Sequence, residues 1–444
     1  MAQVIHRVVN LIEDGAQNIL NMSVDEARTR LLDERSDALL EVRGSFALAM
    51  RDAETVLMAR SLDRPMRYFL AKEVSGPMLV IAERIDEIKR VLDANGYLHQ
   101  FHPSYTRMVP AHHVTALRLI GCPDPTPRQR RFFAPPRATM PADLDRIGQA
   151  YVAALHGEVA QWLAAQEEDE PLGVLFSGGI DSGAVLVSLY QALLDSGRSP
   201  SRLKAFTLAV DGGGRDVEQA RTFLRRLDLE MLLEVVDVRS DALDPFEAVE
   251  VIEDYKPLDV ECATVGLALL RAIRGRYPDW RLLLDGDGGD ENLKDYPIEE
   301  NQELTIRSVV SNSMLYQEGW GVDAIKHSAI YSGGFSRGCV RTYAPARRLG
   351  FTGLSPFARP AVIAVAEAIP FDALTAGSTD TLYGLKGDVV RRGMRACFGV
   401  DFPVFEKRRF QQGAVNDQIF HDRFAIPPER YRAHFQALHG EAAR

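Results

Sequence analysis

The periodicity of hydrophobic and polar positions changes along the chain, and this change divides the chain into two regions. Between Asp37 and Leu92, short apolar runs alternate with turn-like breaks, a pattern typical of closely spaced strands in an antiparallel sheet. The first region is therefore predicted to be a small α+β domain built on an antiparallel sheet. The predicted strands cover Ala38–Val42, Phe46–Met50, Val56–Ala59 and Met78–Ala82.

From about Met140 onwards, longer helical patterns alternate with buried strand-like runs. Strands that alternate with helices form a parallel sheet covered on both faces, and ligands bind beyond the carboxyl ends of its strands. We therefore predict an α/β domain whose site lies in the loops after its strands. The predicted helices cover Leu144–Ala165, Gly183–Leu194, Val217–Leu227 and Val265–Arg274, and the predicted strands cover Leu172–Phe176, Leu203–Val210, Met231–Val238 and Arg281–Leu284.

Prolines concentrate between the two regions, in Cys122–Pro127 and Phe133–Pro136. Proline lacks an amide donor and disfavours the helical conformation of the residue before it, so this stretch is predicted to be a linker. The chain then divides into an N-terminal domain at 1–121, a linker at 122–142 and the α/β domain at 143–444.

Charge and hydropathy narrow the class of protein. The formal net charge is −10, which argues against a nucleic-acid partner. The N-terminal Met1–Arg7 has no apolar signal region, and no stretch approaches the roughly 18 apolar residues of a membrane span. We expect a cytoplasmic protein with a small-molecule or peptide substrate. A second copy of the chain or a biosynthetic protein is a candidate partner.

The first chemical motif is Ser177–Ser182, with the sequence Ser-Gly-Gly-Ile-Asp-Ser, between a predicted strand and a predicted helix. Glycines let backbone amides approach an anion, and the N-terminus of the following helix favours phosphate. An aspartate inside a phosphate loop repels its ligand unless a cation intervenes. Asp181 is therefore predicted to be a magnesium ligand.

A second loop, Asp285–Glu291, also follows a predicted strand and holds four carboxylates within seven residues. Such carboxylates repel one another unless cations or ligands compensate them. The spacing does not match the calcium-binding loop of EF-hands. With one oxygen-rich loop at each of two strand ends, the sequence predicts a magnesium–pyrophosphate site.

The two loops together resemble the ATP-pyrophosphatase domain of asparagine synthetases and of the β-lactam, carbapenam and lasso-peptide macrolactam synthetases. In that family the first loop reads SGGxDS and the second SGEGADE. A third segment, Lys407–Gly413, is similar to the family's KxxFxxG motif. The resemblance implies a HUP-like parallel-sheet domain that uses ATP and Mg²⁺.

The resemblance also implies a role for particular residues. Asp181 and Asp290 bind magnesium, Lys407 stabilises negative charge during catalysis, and Asp287 accepts a proton from the attacking amine at a position where asparagine synthetases carry glutamate. Residues implied to contact the nucleotide are Ser177, Gly178, Gly179, Asp181 and Ser182 at the phosphates, and Leu208 and Gly286 beside adenosine.

The N-terminal region is similar to the glutaminase domain that precedes these synthetases, through Leu40–Met50 and Met58–Pro65. The resemblance implies a shortened Ntn-hydrolase fold. Those glutaminases use an N-terminal cysteine as nucleophile, whereas here Met1 is followed by Ala2 and the first cysteine is Cys122. We therefore expect that glutamine hydrolysis is lost.

The sequence thus predicts an AMP-forming carbon–nitrogen ligase that adenylates a carboxylate and joins it to an amine without hydrolysing glutamine. Biosynthesis of a specialised metabolite or modified peptide, including lactam or macrolactam closure, is the leading interpretation. An ammonia-dependent asparagine synthetase and a non-catalytic nucleotide-binding homologue are the alternatives. The acidic charge and the absence of paired cysteines disfavour sulfur transfer to tRNA.

Overall fold

The structure is a computed structural model that describes residues 3–4, 7–35, 37–72, 77–122, 125–295, 298, 305–311, 339–405 and 413–440. It has the predicted α/β architecture, with antiparallel pairing in the N-terminal region and a five-stranded parallel sheet in the second region. None of the described helices is both long and apolar enough to cross a membrane.

Two four-stranded sheets, with strand orders β12-β10-β6-β5 and β2-β8-β7-β9, form the N-terminal region. All their pairings are antiparallel except β2 with β8. Side chains from both sheets, such as Met58 and Leu79, share one buried cluster. The elements are β1 Gln3–Val4, β2 Arg7–Asn10, β3 Asn18–Ile19, α1 Val24–Thr29, β4 Gly44–Ser45, β5 Ala47–Asp52, β6 Thr55–Arg60, β7 Arg67–Ala71, β8 Met78–Ala82, α2 Ile85–Ala94, β9 Arg107–Met108, β10 His113–Arg118, β11 Ile120–Cys122 and β12 Arg128–Arg131.

One strand prediction is wrong. The run Ala38–Val42 begins with a single 3₁₀ turn at Ala38–Glu41, in which the amide of Leu40 donates to the carbonyl of Asp37 at 2.8 Å. Ala38 and Leu39 are buried as they would be in a strand. A short apolar run therefore indicates burial here, but it does not determine the backbone conformation.

The proline-rich stretch contains a strand of the N-terminal sheet. Residues Arg128–Arg131 form β12, which pairs antiparallel with β10 from His113 to Ala116. The prolines lie before and after this strand, so its amides can donate along the ladder. The four residues therefore add an edge to the N-terminal sheet.

The second region contains a parallel sheet with strand order β15-β14-β13-β16-β17. The three-residue strand β17 was not predicted, and the predicted helix Val265–Arg274 is part of a longer one. The elements are α3 Leu144–Ala164, β13 Leu172–Leu175, α4 Ile180–Asp195, β14 Leu203–Val210, α5 Arg215–Arg225, β15 Leu233–Val238, α6 Pro245–Ile252, α7 Pro257–Arg276, β16 Leu282–Leu284, α8 Gly289–Leu293, α9 Ile306–Ser311, α10 Ala344–Arg348, β17 Thr352–Leu354, α11 Pro360–Ala368, α12 Phe371–Thr375, α13 Thr379–Phe398, α14 Asp417–Phe424 and α15 Pro428–His439.

The two long helices α3 and α13 cross with their backbones in close contact. A Cβ atom on Gly148 would lie 2.5 Å from the carbonyl oxygen of Val389 and 2.8 Å from the amide nitrogen of Gly393. A Cβ atom on Gly393 would collide with Gly148 in turn. These two glycines therefore set how closely α13 approaches α3.

We predict that Gly393→Ala lowers the free energy of unfolding by about 1–3 kcal/mol, because the added methyl group forces the two helices apart. Gly384→Ala is the matched control, since Gly384 lies on the same helix and a Cβ atom there would have no neighbour within 4 Å. In the control, the higher helix propensity of alanine raises the free energy of unfolding by about 0.5–1 kcal/mol. Urea unfolding of both variants measures the difference, and equal stabilities would contradict the close crossing.

Candidate active site

The phosphate loop predicted from the sequence lies between β13 and α4. Gly178 has a φ of 73°, and a Cβ atom there would lie 2.7 Å from the amide nitrogen of Ala220, so a side chain does not fit. The hydroxyl of Ser177 accepts a hydrogen bond from the amide of Gly179 at 3.3 Å and lies 3.3 Å from the hydroxyl of Ser182. Both hydroxyls therefore stand at the N-terminus of α4, where the first-turn amides favour an anion.

The acidic loop lies directly beside the phosphate loop because β16 is the parallel neighbour of β13, with Leu284 in register with Val174. Gly286 approaches the start of α4 so closely that a Cβ atom would lie 2.8 Å from the amide nitrogen of Ser182. The sheet thus brings together two loops that are about a hundred residues apart in sequence.

Lys386 joins the two loops. Its ammonium group, on α13, forms ion pairs with the carboxylates of both Asp181 and Asp290, and it lies 3.5 Å from a carboxylate oxygen of Asp295. Burial opposes a charge on this lysine, but the three surrounding carboxylates outweigh burial and raise its pKa well above the usual value. The site therefore holds a buried ammonium group whose charge is stabilised by its carboxylate partners.

Lys386 was not identified from the sequence. The available signal was its place on the apolar face of α13, in the same stripe as Leu382 and Val389, which are both buried. A lysine on the buried face of an amphipathic helix requires a carboxylate partner, because an unpaired buried charge is strongly unfavourable. Pattern reasoning alone could not say which carboxylates those partners are.

The two predicted magnesium ligands, Asp181 and Asp290, fit that role, because both carboxylates converge on one point at the ammonium group of Lys386. Among the residues that the structure describes, no group of three or more His, Cys, Asp or Glu side chains could hold a metal. Mg²⁺ commonly binds through one or two carboxylates and the phosphates of a substrate. The two carboxylates of Asp181 and Asp290 therefore suit a metal ion whose remaining ligands come from a bound nucleotide.

Asp285 is a buried carboxyl group at the end of β16. It accepts hydrogen bonds from the hydroxyl of Ser355 at 2.9 Å and from the amide of Asp287 at 3.0 Å. Burial, together with the negative charge of Asp287, raises the pKa of Asp285 well above its usual value. Asp285 therefore shapes the backbone of the acidic loop and holds Asp287 in place.

Asp287, the predicted proton acceptor, is a partly buried residue of the same loop. Burial raises its pKa to about 6, while a hydrogen bond with Thr342 and the nearby guanidinium of Arg341 act in the opposite direction. A carboxylate with a pKa near neutrality accepts and releases a proton more readily than one of ordinary acidity. Its position and ionisation suit a general base.

Lys407 lies outside the described residues, as does the rest of 406–412. The residues on either side of this segment both lie against α5. The ring of Phe405 is 6.5 Å from that of Phe223, and the backbone of Gly413 approaches the carboxylate of Asp216. Phe405 and Gly413 therefore both contact the helix that also contacts Gly178.

Leu208, which is predicted to border adenosine, has its side chain in the hydrophobic core. It is 1% exposed and packs in the core cluster with Phe206 and Val236. Any contact between this position and adenosine must therefore come from its backbone, and its predicted role remains a prediction.

Residues 160–326, a segment that includes both loops, match the family model for asparagine synthase. The chain therefore carries a domain of the asparagine synthetase-like family and, in general terms, is an ATP-dependent amide-forming ligase. The resemblance inferred from the motifs is confirmed. A search of curated proteins found none that matches the sequence.

We predict that Lys386→Met lowers the free energy of unfolding by about 1–3 kcal/mol, because Asp181 and Asp290 lose their shared cation while remaining partly solvated. Without ATP, Mg²⁺ then raises the melting temperature of this variant more than that of the parent, since the metal replaces the lost ammonium group. Thermal unfolding with and without Mg²⁺ measures both effects.

The double variant Lys386→Met/Asp290→Asn is the matched control for the metal response. Adding Mg²⁺ raises the melting temperature of this double variant no more than that of the parent, because one of the two carboxylates is gone. Identical shifts in all three proteins would show that the carboxylates do not share a cation site.

Proposed function

We propose that the chain uses ATP and Mg²⁺ to adenylate a carboxylate and then transfers the acyl group to an amine, releasing AMP. The observation that carries this proposal is the convergence of Asp181 and Asp290 on Lys386, at the ends of adjacent parallel strands. This arrangement offers one anionic and one cationic surface for a metal-bound triphosphate.

In the first step the substrate carboxylate attacks the α-phosphorus of ATP, and the bond to pyrophosphate breaks. The first-turn amides of α4 and the hydroxyls of Ser177 and Ser182 hold the departing phosphates. Lys386, already charged, faces the same space and compensates negative charge as it shifts to pyrophosphate. Asp181 and Asp290 would hold Mg²⁺, which would further neutralise the charge of the phosphates.

In the second step the amine attacks the acyl carbon of the adenylate, and AMP leaves as the amide bond forms. The attacking nitrogen must lose a proton, and Asp287 accepts it in this proposal. The pKa of Asp287, about 6, leaves the carboxylate ionised at neutral pH yet basic enough to share the proton. Lys407 is proposed to stabilise the charge that develops on the reacting groups.

The amine comes from the substrate rather than from glutamine, in our proposal. Residues 1–121 contain no cysteine, the residue that glutaminases of this kind use as nucleophile, and this supports the proposal. The region instead supports the ligase through buried contacts, of which the 2.6 Å ion pair between Asp63 and Arg359 is one. A metabolite or peptide that contains both reacting groups would be closed into a ring by the same chemistry.

The direct test measures AMP and pyrophosphate release with ATP, Mg²⁺ and a panel of carboxylates and amines that includes aspartate with ammonium. We expect AMP and pyrophosphate in equal amounts, and a loss of at least about 100-fold in Asp181→Ala. Asp169→Ala, at an exposed position, is the control and retains full activity. Release of ADP and phosphate would contradict adenylation.

The panel also separates the substrate classes. Product from aspartate and ammonium would identify an ammonia-dependent asparagine synthetase, while product from larger acids or peptides supports the proposed biosynthetic role. If ATP does not bind to the purified protein, the chain is a non-catalytic homologue.

We predict that Asp287→Asn separates the two steps. The variant keeps substrate-dependent exchange of pyrophosphate into ATP but forms amide at least about 100-fold more slowly, because it lacks the proton acceptor. In the parent, the rate of amide formation rises with pH through about 6, where Asp287 loses its proton. An unchanged rate of amide formation in the variant would exclude Asp287 as the base.

A further inference from the structure

A cavity of about 280 Å³ lies between the N-terminal region and the α/β region, away from the two loops of the candidate active site. Its wall includes the rings of Phe46, Phe132 and Phe133 on one side and Glu158 of α3 on the other. Its volume is near the lower end of the range of ligand pockets, so the cavity suits a small molecule.

Glu158 is a buried acidic residue that faces this cavity. It is 6% exposed, and within the described part of the chain its side chain forms no hydrogen bond or ion pair. Buried carboxyl groups are nearly always hydrogen-bonded, because burial without a partner is costly. The carboxyl group of Glu158 is therefore available to a ligand that donates hydrogen bonds.

The buried arginine of the cavity wall is already compensated. Arg359 is 1% exposed, and its Nη2 donates to the hydroxyl of Ser45 at 2.5 Å and to the carboxylate of Asp63 at 2.6 Å. Its Nε and Nη1 are enclosed by protein atoms, so a ligand in the cavity does not reach them. The oxygens of Glu158 are not enclosed in this way, and they remain accessible from the cavity.

Arg43 is the exposed charged residue of the wall, and it therefore lies where the cavity meets solvent. Within the described residues its guanidinium forms no ion pair, and water and salt screen its charge. Burial raises the pKa of Glu158, whereas Arg359 and Arg43 lower it and so favour the ionised carboxylate. Arg43 thus helps to keep Glu158 charged without occupying its oxygens.

Aromatic rings form the apolar part of the wall. The centroids of Phe46 and Phe132 are 6.3 Å apart, and the ring of His112 meets that of Phe133 edge-on at 4.9 Å. All four side chains are almost completely buried. This wall favours an aromatic or branched aliphatic group next to the carboxylate.

We propose that the cavity binds a primary amine with an aromatic or branched aliphatic group, in its ammonium form. The ammonium group donates to Glu158, and the apolar group lies against the phenylalanine rings. This binding site is separate from the nucleotide site and does not depend on the proposed ligase reaction.

Charge balance favours a monovalent cation over the other ligands of this size. An ammonium group neutralises Glu158, the buried charge that the wall leaves without a partner. The carboxylate of an amino acid would find no accessible donor at Arg359, and an apolar acid would place a second negative charge beside Glu158. A divalent metal ion needs more oxygen ligands than one carboxylate supplies.

The test is calorimetric titration of the full-length protein with phenethylamine and 3-methylbutylamine, without ATP. We expect saturable binding, with L-phenylalanine and 3-phenylpropionate each at least about 10-fold weaker than phenethylamine because each brings an unpaired carboxylate. Absence of binding for both amines at millimolar concentration would overturn the proposal, as would equal binding of phenethylamine and 3-phenylpropionate. Since ATP is left out, this result is independent of any failure to detect ligase activity.

Two variants locate the site. Glu158→Gln weakens phenethylamine at least about 10-fold but not 3-phenylpropionate, whereas Glu168→Gln, at an exposed position just after α3, changes neither. Ala361→Trp fills the cavity from its wall and abolishes binding. Thermal unfolding verifies that each variant is folded, and unchanged binding in both cavity variants would place the ligand elsewhere and overturn the proposal.

A variant of Arg43 tests which residue attracts the ligand. Arg43→Gln binds phenethylamine at least as tightly as the parent, because the substitution removes a positive charge near the ammonium group. Weaker binding of phenethylamine in this variant, with binding of 3-phenylpropionate lost in parallel, would contradict the assignment of the cavity to a cation.

Discussion

The active-site architecture depends on the ion pairs that the ammonium group of Lys386 forms with two carboxylates. Lys386 lies on α13, far along the chain from both loops, and pairs with Asp181 of the first and Asp290 of the second. Without a cation these carboxylates would repel one another at short range. The lysine therefore holds the two loops in the geometry that a metal-bound nucleotide needs.

The position of Lys386 in turn depends on backbone packing. Gly148 and Gly393 allow α13 to lie directly on α3, whose Glu158 lies at the boundary between the two regions. One helix crossing thus aligns the nucleotide site with the boundary between the two regions. A change at this crossing is expected to reach both.

The N-terminal region is attached to the α/β region through buried polar contacts. The carboxylate of Glu253 accepts hydrogen bonds from the amides of Ile85 and Asp86 at 2.9 and 3.0 Å, which caps the start of α2 from the other region. Arg359 of the α/β region also forms a buried ion pair with Asp63 of the N-terminal region. Removing one partner from such a contact leaves a buried charge, so the two regions hold each other in place.

Much of this arrangement could be predicted from sequence, because it depends on local patterns. The strand Leu203–Val210 and the loop at Ser177–Ser182 follow from periodicity and glycine placement. The turn at Ala38–Glu41 could not be distinguished from a strand, since burial alone does not define a backbone conformation. Lys386 was missed because its partners are set by tertiary contacts, which no single-helix pattern encodes.

The most direct test of the role of Lys386 is a crystal structure of the protein with Mg²⁺ and a non-hydrolysable ATP analogue. We expect phosphates at the N-terminus of α4, one metal bound by Asp181 and Asp290, and the ammonium group of Lys386 turned towards a phosphate oxygen. A nucleotide bound elsewhere, or a metal that contacts neither carboxylate, would contradict this arrangement.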